Sequence, residues 1–294
     1  MRMEILWNHQ PIIIIQRWFG DSWSWFFEAV TQLGSGTTVA LIFALAFWIN
    51  GRRFAYSLLG AVVVLQIINV LIWSIFYVPR PQHPDIFVYK QLDISSFPSG
   101  HTGTAIVLWG NLTTFGYMPA AVTVCIVLLV MLSRLYLGVH YLADLLGGTV
   151  TGLIMLVVYQ RLLPLLVHFF SGRTFKFLLI LCLSIPLVVF PFADSFPEGW
   201  EVFGAAVGAA IGVPLEYWYI RYHPINISRR KQMLKIAIGL GVLMALIAVS
   251  RLISSSEFPR DLITFALVGL WITFLAPGLF TRMGLSINLG DRLQ

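Results

Sequence analysis

Three clusters between positions 77 and 144 carry residue types and spacings suited to phosphoryl chemistry. They are Val78-Pro79-Arg80-Pro81, then Phe97-Pro98-Ser99-Gly100-His101, then Ser133-Arg134 followed by His140 and Asp144. Arginine presents a planar fork of donors that matches phosphate oxygens. Ser99, Gly100 and His101 read as the start of a helix, where backbone N–H groups bind anions, and Gly100 lets the backbone approach a ligand. His140 and Asp144, four apart, share a helix face, so the carboxylate could fix the imidazole tautomer and raise its basicity. His101 is then a second imidazole, free to act as general acid. Taken singly, each cluster has a plainer reading: a structural His–Asp pair, an arginine anchored at headgroups, a serine N-cap. Taken together at the ends of apolar segments, where ionisable groups are costly, they read as a functional site with one nucleophile, one acid and a cationic cradle.

The elements that must hold these residues are membrane helices. The chain has 294 residues, 58% hydrophobic and 11% charged, with a mean hydropathy of +0.84, whereas soluble domains carry about 25% charged residues. The fold class is therefore all-α, a polytopic transmembrane helical bundle. Nine apolar runs are legible, at 37–50, 55–78, 100–117, 120–132, 141–163, 175–192, 200–220, 233–252 and 262–280, most of them near the length a bilayer demands. Residues 1–34 differ: Gln16, Arg17, Asp21 and Glu28 interrupt a stretch rich in Trp18, Trp23, Trp25, Phe26 and Phe27. That pattern predicts an amphipathic segment lying in the interface. The organisation read from this is an interfacial segment at 1–34, a core at 35–192 and additional C-terminal spans at 193–294.

Net charge of +6 and a pI near 9.5 would suit nucleic acid, but the distribution excludes that partner. With the three clusters placed outside the cytoplasm, twelve of the 19 basic residues fall in cytoplasmic loops or tails, among them Arg52, Arg53, Arg173, Lys176, Arg229, Arg230, Lys231 and Arg282. Of the acids, Glu216 and Asp291 alone lie on that side. This positive-inside pattern predicts a cell-membrane protein with an extracytoplasmic site and a cytoplasmic C-terminus, its basic loops meeting membrane lipids. Cys125 and Cys182 both lie in apolar runs and predict no disulfide. No cleavable signal peptide is legible at the start. His83, His101 and His140 lack carboxylates at ligand spacing other than Asp144, so no metal site is expected. A transporter reading is weaker, because the charges gather on one face and no inverted repeat is visible.

The three clusters resemble the signature of the type 2 phosphatidic acid phosphatase superfamily, the lipid phosphate phosphatases: Lys, six residues, Arg-Pro; then Pro-Ser-Gly-His; then Ser-Arg, five residues, His, three residues, Asp. The second and third match in full; the first matches at Arg80-Pro81, with Trp73 where the lysine would stand. The resemblance implies a six-helix phosphatase-like core and metal-independent hydrolysis of a lipid phosphate monoester or diphosphate, with no cofactor. In that scheme His140 is the nucleophile forming a phosphohistidine, Asp144 orients it, and His101 protonates the leaving oxygen. Arg80, Ser99, Gly100 and Arg134 bind the substrate phosphate. Trp73 removes one cation from the cradle. The site is then altered but active, or another cation such as Lys90 substitutes, or the chain is a weakened relative that binds or moves a lipid phosphate.

Overall fold

The structure, a computed structural model, describes residues 6–89, 93–170, 173–195, 199–224, 227–253 and 257–288. Lys90 and Asp291 lie outside the described residues. The chain forms two compact units, one of residues 1–43 and 57–166, the other of residues 44–56 and 167–294.

The first unit is built from α1 (Gln10–Phe19), α2 (Ser24–Thr31), α3 (Gly36–Asn50), α4 (Arg52–Ile75), α5 (Gly100–Thr114), α6 (Ala120–Tyr136) and α7 (Leu142–Phe170), with α3, α4 and α7 running on into the second unit. In lipid a helix satisfies its own backbone and needs no polar face, and α3 is correspondingly apolar from Val39 to Ile49, while α5 and α7 carry a few polar residues in otherwise apolar runs. Their core joins Val39 of α3, Ala61, Val62 and Leu65 of α4, Val107 and Leu108 of α5, and Met155 and Tyr159 of α7. The α5–α7 crossing is set by glycine: a Cβ on Gly152 would sit 3.1 Å from the Cα of Gly103, and one on Gly148 would sit 2.5 Å from the Ser99 carbonyl oxygen. Small residues are what lets two backbones meet this closely inside a membrane.

Helices occur at each of the nine apolar runs, with shifted boundaries. The second run was expected to stay helical to residue 78; α4 ends at Ile75, and residues 76–80 leave it without regular structure. By length and composition, four helices among the described residues can each cross a membrane alone: Phe54–Ile75, Leu142–Leu166, Arg229–Ser250 and Pro259–Arg282. Asp21–Gly34 and Gly36–Asn50 pass that test together as a pair bent by 52°. The N-terminal segment also does more than lie in lipid. Ile12 and Ile13 of α1 are buried against Ile86, Leu135, Tyr141 and Leu145, while Trp18 and Trp25 stay 83% and 71% exposed.

The second unit contains α8 (Phe175–Val189), α9 (Gly199–Leu215), α10 (Arg229–Ile253), α11 (Glu257–Leu270) and α12 (Ala276–Arg282). Two short strands, β1 (Tyr222–His223) and β2 (Ile287–Asn288), pair antiparallel. Helices α9 and α11 pack through Gly204, Gly208 and Gly269, each set against the partner helix backbone. A π-turn at Glu216–Ile220 follows α9, just after Pro214, and a second at Trp271–Leu275 follows α11; proline in a helix removes one hydrogen bond and loosens the turn around it. Glu216, fully buried, accepts from the Tyr222 N–H at 2.7 Å, and Tyr222 donates its hydroxyl to the Trp48 carbonyl.

Candidate active site

The third cluster is shaped by a turn. Helix α6 ends at Tyr136, and Gly138 adopts φ +68°, where a Cβ would lie 2.3 Å from the Phe87 carbonyl oxygen. That left-handed step is open to glycine at little cost, and it delivers His140 to the start of α7. His140 Nδ1 lies 3.2 Å from Asp144 Oδ2, and the same oxygen accepts the Tyr141 N–H at 2.8 Å. A carboxylate oxygen already accepting one N–H is an acceptor, so Nδ1 carries the proton and Nε2 keeps its lone pair. Burial holds the His140 imidazole well below its ordinary pKa, and Arg80, Arg134 and His101 reinforce that. At neutral pH it is therefore the uncharged, nucleophilic form.

The second cluster is tied to the third through the main chain. The Ser99 N–H donates to the Asp144 carbonyl at 2.9 Å, joining the start of α5 to the first turn of α7. The side chain of Ser99 makes no cap to the α5 backbone; its hydroxyl accepts from Thr102 Oγ at 3.1 Å and is fully buried. The N–H groups of Gly100, His101 and Thr102 precede the first bond inside the helix, Gly103 to Ser99, and are the donors that a helix start can offer to an anion. Gly34 lies against the main chain of His101, with a Cβ there only 2.6 Å from its carbonyl oxygen.

Arg80 and Arg134 are positioned from different directions. Arg80 lies in the loop after α4 and donates Nη1 to the Val139 carbonyl at 2.9 Å and Nε to the Ile94 carbonyl at 3.2 Å. Burial draws its guanidinium down to about 10, still cationic at neutral pH. The carbonyl of Val139 directly precedes His140, so Arg80 is bonded to the backbone that carries the imidazole. Arg134, in the last turn of α6, is buried and donates Nη1 to Thr31 Oγ at 2.9 Å. Both arginines act electrostatically on His101 and His140.

Trp73 occupies the place of the expected lysine by different means. Its indole N–H donates to the Pro98 carbonyl at 3.1 Å, and its ring lies 3.4 Å from where a Gly100 Cβ would be. Behind it, Asn69 donates to Gln66 at 3.0 Å and Gln66 to Thr104 at 3.1 Å. Gln66, Asn69 and Trp73 thus line one face of α4, and Tyr77 lies beyond the helix end and is exposed.

Three contributions were not legible from motifs. Ser95 and Ser96 knit the loop: Val78 donates its N–H to Ser95 Oγ at 3.1 Å, and Ser96 donates its N–H to the Val78 carbonyl at 2.8 Å. Gln16 of α1 donates to the carbonyls of Phe87 and Tyr136, both at 2.7 Å, and accepts from the Phe87 N–H at 3.0 Å. Thr31 holds Arg134. The one sequence signal for the serines is their run directly before Phe97; Gln16 and Thr31 carried none.

A buried His–Asp pair beside two arginines and a glycine-opened helix start, all within an α-helical membrane bundle, defines a phosphate-handling membrane protein. The chain belongs to the PAP2 superfamily: residues 54–168 match the PAP2 superfamily, and residues 200–288 match the PAP2 superfamily phosphatase, transmembrane extension. The first match carries all three clusters. The second accounts for the C-terminal helices as an extension known in these phosphatases. Among individual relatives, sphingosine-1-phosphate phosphatase 1 of Mus musculus is 24% identical over 308 residues, covering 87% of this chain and 71% of its own. The same-named protein of Rattus norvegicus is similar to the same extent, 24% over 308 residues. No solved structure gives a significant match.

Proposed function

We propose that this membrane phosphatase hydrolyses a lipid phosphate monoester or diphosphate through a phosphohistidine. The observation that carries the reading is the His140–Asp144 pair, which leaves Nε2 as a buried, uncharged nucleophile. Nε2 attacks phosphorus, the bond from phosphorus to the lipid oxygen breaks, and His101, protonated when the phosphate dianion binds beside it, supplies the proton that the leaving oxygen takes up. Water, deprotonated by the same imidazole, then attacks phosphorus; the P–N bond breaks and inorganic phosphate leaves. Arg80, Arg134 and the N–H groups at the start of α5, Gly100 first among them, stabilise the equatorial oxygens, while Ser99 supports that cradle by fixing the helix start to Asp144. No metal takes part.

Similarity to sphingosine-1-phosphate phosphatase makes sphingoid phosphates the first substrates to test, with phosphatidic acid, phosphatidylglycerol phosphate and isoprenyl diphosphates beside them. The site faces away from the cytoplasm and the C-terminus toward it, a reading supported by the basic loops. A second reading, a catalytically weak protein that binds or moves a lipid phosphate, is favoured by Trp73 alone. One experiment separates the two: phosphate release from that lipid panel in the presence of chelator, with His140→Ala run alongside. The expected result is release by the native protein and at least a thousand-fold loss in the variant, on the order of other nucleophile deletions. Equal release by both would remove His140 from the mechanism; no release by either would favour binding without turnover.

A further inference from the structure

Residues 24–34 precede the region that matches the PAP2 superfamily, yet they reach two of its clusters. We infer that Thr31 is a positioning residue for Arg134, which makes this N-terminal segment part of the phosphate-binding site. The inference rests on the reading of Arg134 as a phosphate ligand.

The argument begins with the guanidinium. Arg134 is almost fully buried, at 6% exposure, and Thr31 at 5%. A buried cation needs its donors matched, and a planar fork held at one corner has its other edge fixed in direction. Nη1 of Arg134 donates to Thr31 Oγ at 2.9 Å across 103 positions of sequence. Threonine is short and β-branched, so its hydroxyl has few alternative places to go.

Thr31 is itself located from several sides. Phe27, one turn earlier in α2, is buried and stacks on Tyr136 with ring centroids 4.1 Å apart, two residues beyond Arg134. The Leu33 carbonyl accepts the Trp109 indole N–H at 2.9 Å. Gly34 fits against the His101 carbonyl with no room for a side chain. One short segment therefore touches the helix that carries His101 and the helix that carries Arg134. It fixes their separation as well as the direction of the guanidinium.

The test uses the full-length protein and two readouts. Orthovanadate, which mimics the five-coordinate phosphoryl group, is titrated as an inhibitor of phosphate release and, independently, as a ligand that raises the melting temperature. Thr31→Val keeps the volume and removes the hydroxyl; Thr31→Ser keeps the hydroxyl. Removal of a hydrogen bond to a charged group predicts vanadate affinity about ten-fold weaker in Thr31→Val and near native in Thr31→Ser. In an Arg134→Lys background, Thr31→Val then changes vanadate affinity no further, because the arginine it positions is gone. A merely structural threonine would lower the melting temperature, leave vanadate affinity unchanged and act equally in both backgrounds; that outcome overturns the inference. If Thr31→Val does not fold, loss of vanadate affinity in Thr31→Ala beside near-native affinity in Thr31→Ser stands in its place, with the same Arg134→Lys comparison deciding. Arg134→Lys alone distinguishes failure of the underlying reading: unchanged vanadate affinity there refutes Arg134 as a phosphate ligand, whereas weakened affinity in Arg134→Lys beside an unmoved affinity in Thr31→Val refutes the role of Thr31 alone.

Discussion

At the scale of single residues the candidate site is a set of side chains each held by named partners. His140 is neutral because it is buried among cations, and it is oriented because Asp144 Oδ2 accepts from both Nδ1 and the Tyr141 N–H. Arg80 is as much a clamp as a ligand, since two of its nitrogens bind the carbonyls of Val139 and Ile94. The departure at position 73 follows from geometry. A lysine there would place a flexible cation near the start of α5; the tryptophan instead lays a flat ring beside Gly100 and bonds Pro98. Trp73→Lys should therefore restore a cation beside the phosphate and tighten vanadate inhibition about five-fold, a gain of ~1 kcal/mol. Inhibition titrations on the purified variant check this, and an unchanged constant would mean that a cation already fills that place.

At the scale of elements, the contact between α5 and α7 decides whether the residues meet. Gly148 allows the first turn of α7 to reach the Ser99 carbonyl, and the Ser99 N–H to reach that of Asp144. Gly148→Ala would push against main chain, not a flexible side chain, so it should cost about 1–3 kcal/mol of stability and lower phosphate release in parallel. A melting curve and a rate on the same sample would show it; native values for both would mean that the crossing can relax. This contact was only partly legible in the sequence. A Gly147-Gly148 pair in an apolar run is a sequence signal for close packing, and the motifs name the candidate side chains, because residue types carry that information. A hydrogen bond between two backbones carries none, so the Ser99–Asp144 link was invisible. The protein contacts of the N-terminal helices were hidden for a related reason. An apolar stripe of Ile12 and Ile13 looks the same whether it faces lipid or protein, and the surrounding tryptophans favoured lipid. In the structure the isoleucines face protein and Trp18 and Trp25 remain exposed.

At the scale of the molecule, charge placement is what motivates the proposed orientation. In that proposal Gln82, exposed in the loop after Arg80, would lie outside the cytoplasm and Met283, exposed just past α12, inside it. With Cys125 and Cys182 replaced, Gln82→Cys should react with an impermeant thiol reagent in intact cells, and Met283→Cys only after permeabilisation; the reverse pattern would invert the proposed topology. The two units divide the labour as the family matches do, the first holding the three clusters and the second a helical extension with its own buried Glu216 and Tyr222. The exposed tryptophans of the N-terminal helices have one more consequence. Were the arm that we propose steadies Arg134 to turn Trp25, 71% exposed, toward a bilayer, lateral pressure and headgroup packing would bear on the proposed phosphate site. A micelle and a bilayer would then be different reagents for this protein, and a rate measured in one would describe the pair of them, protein and medium together.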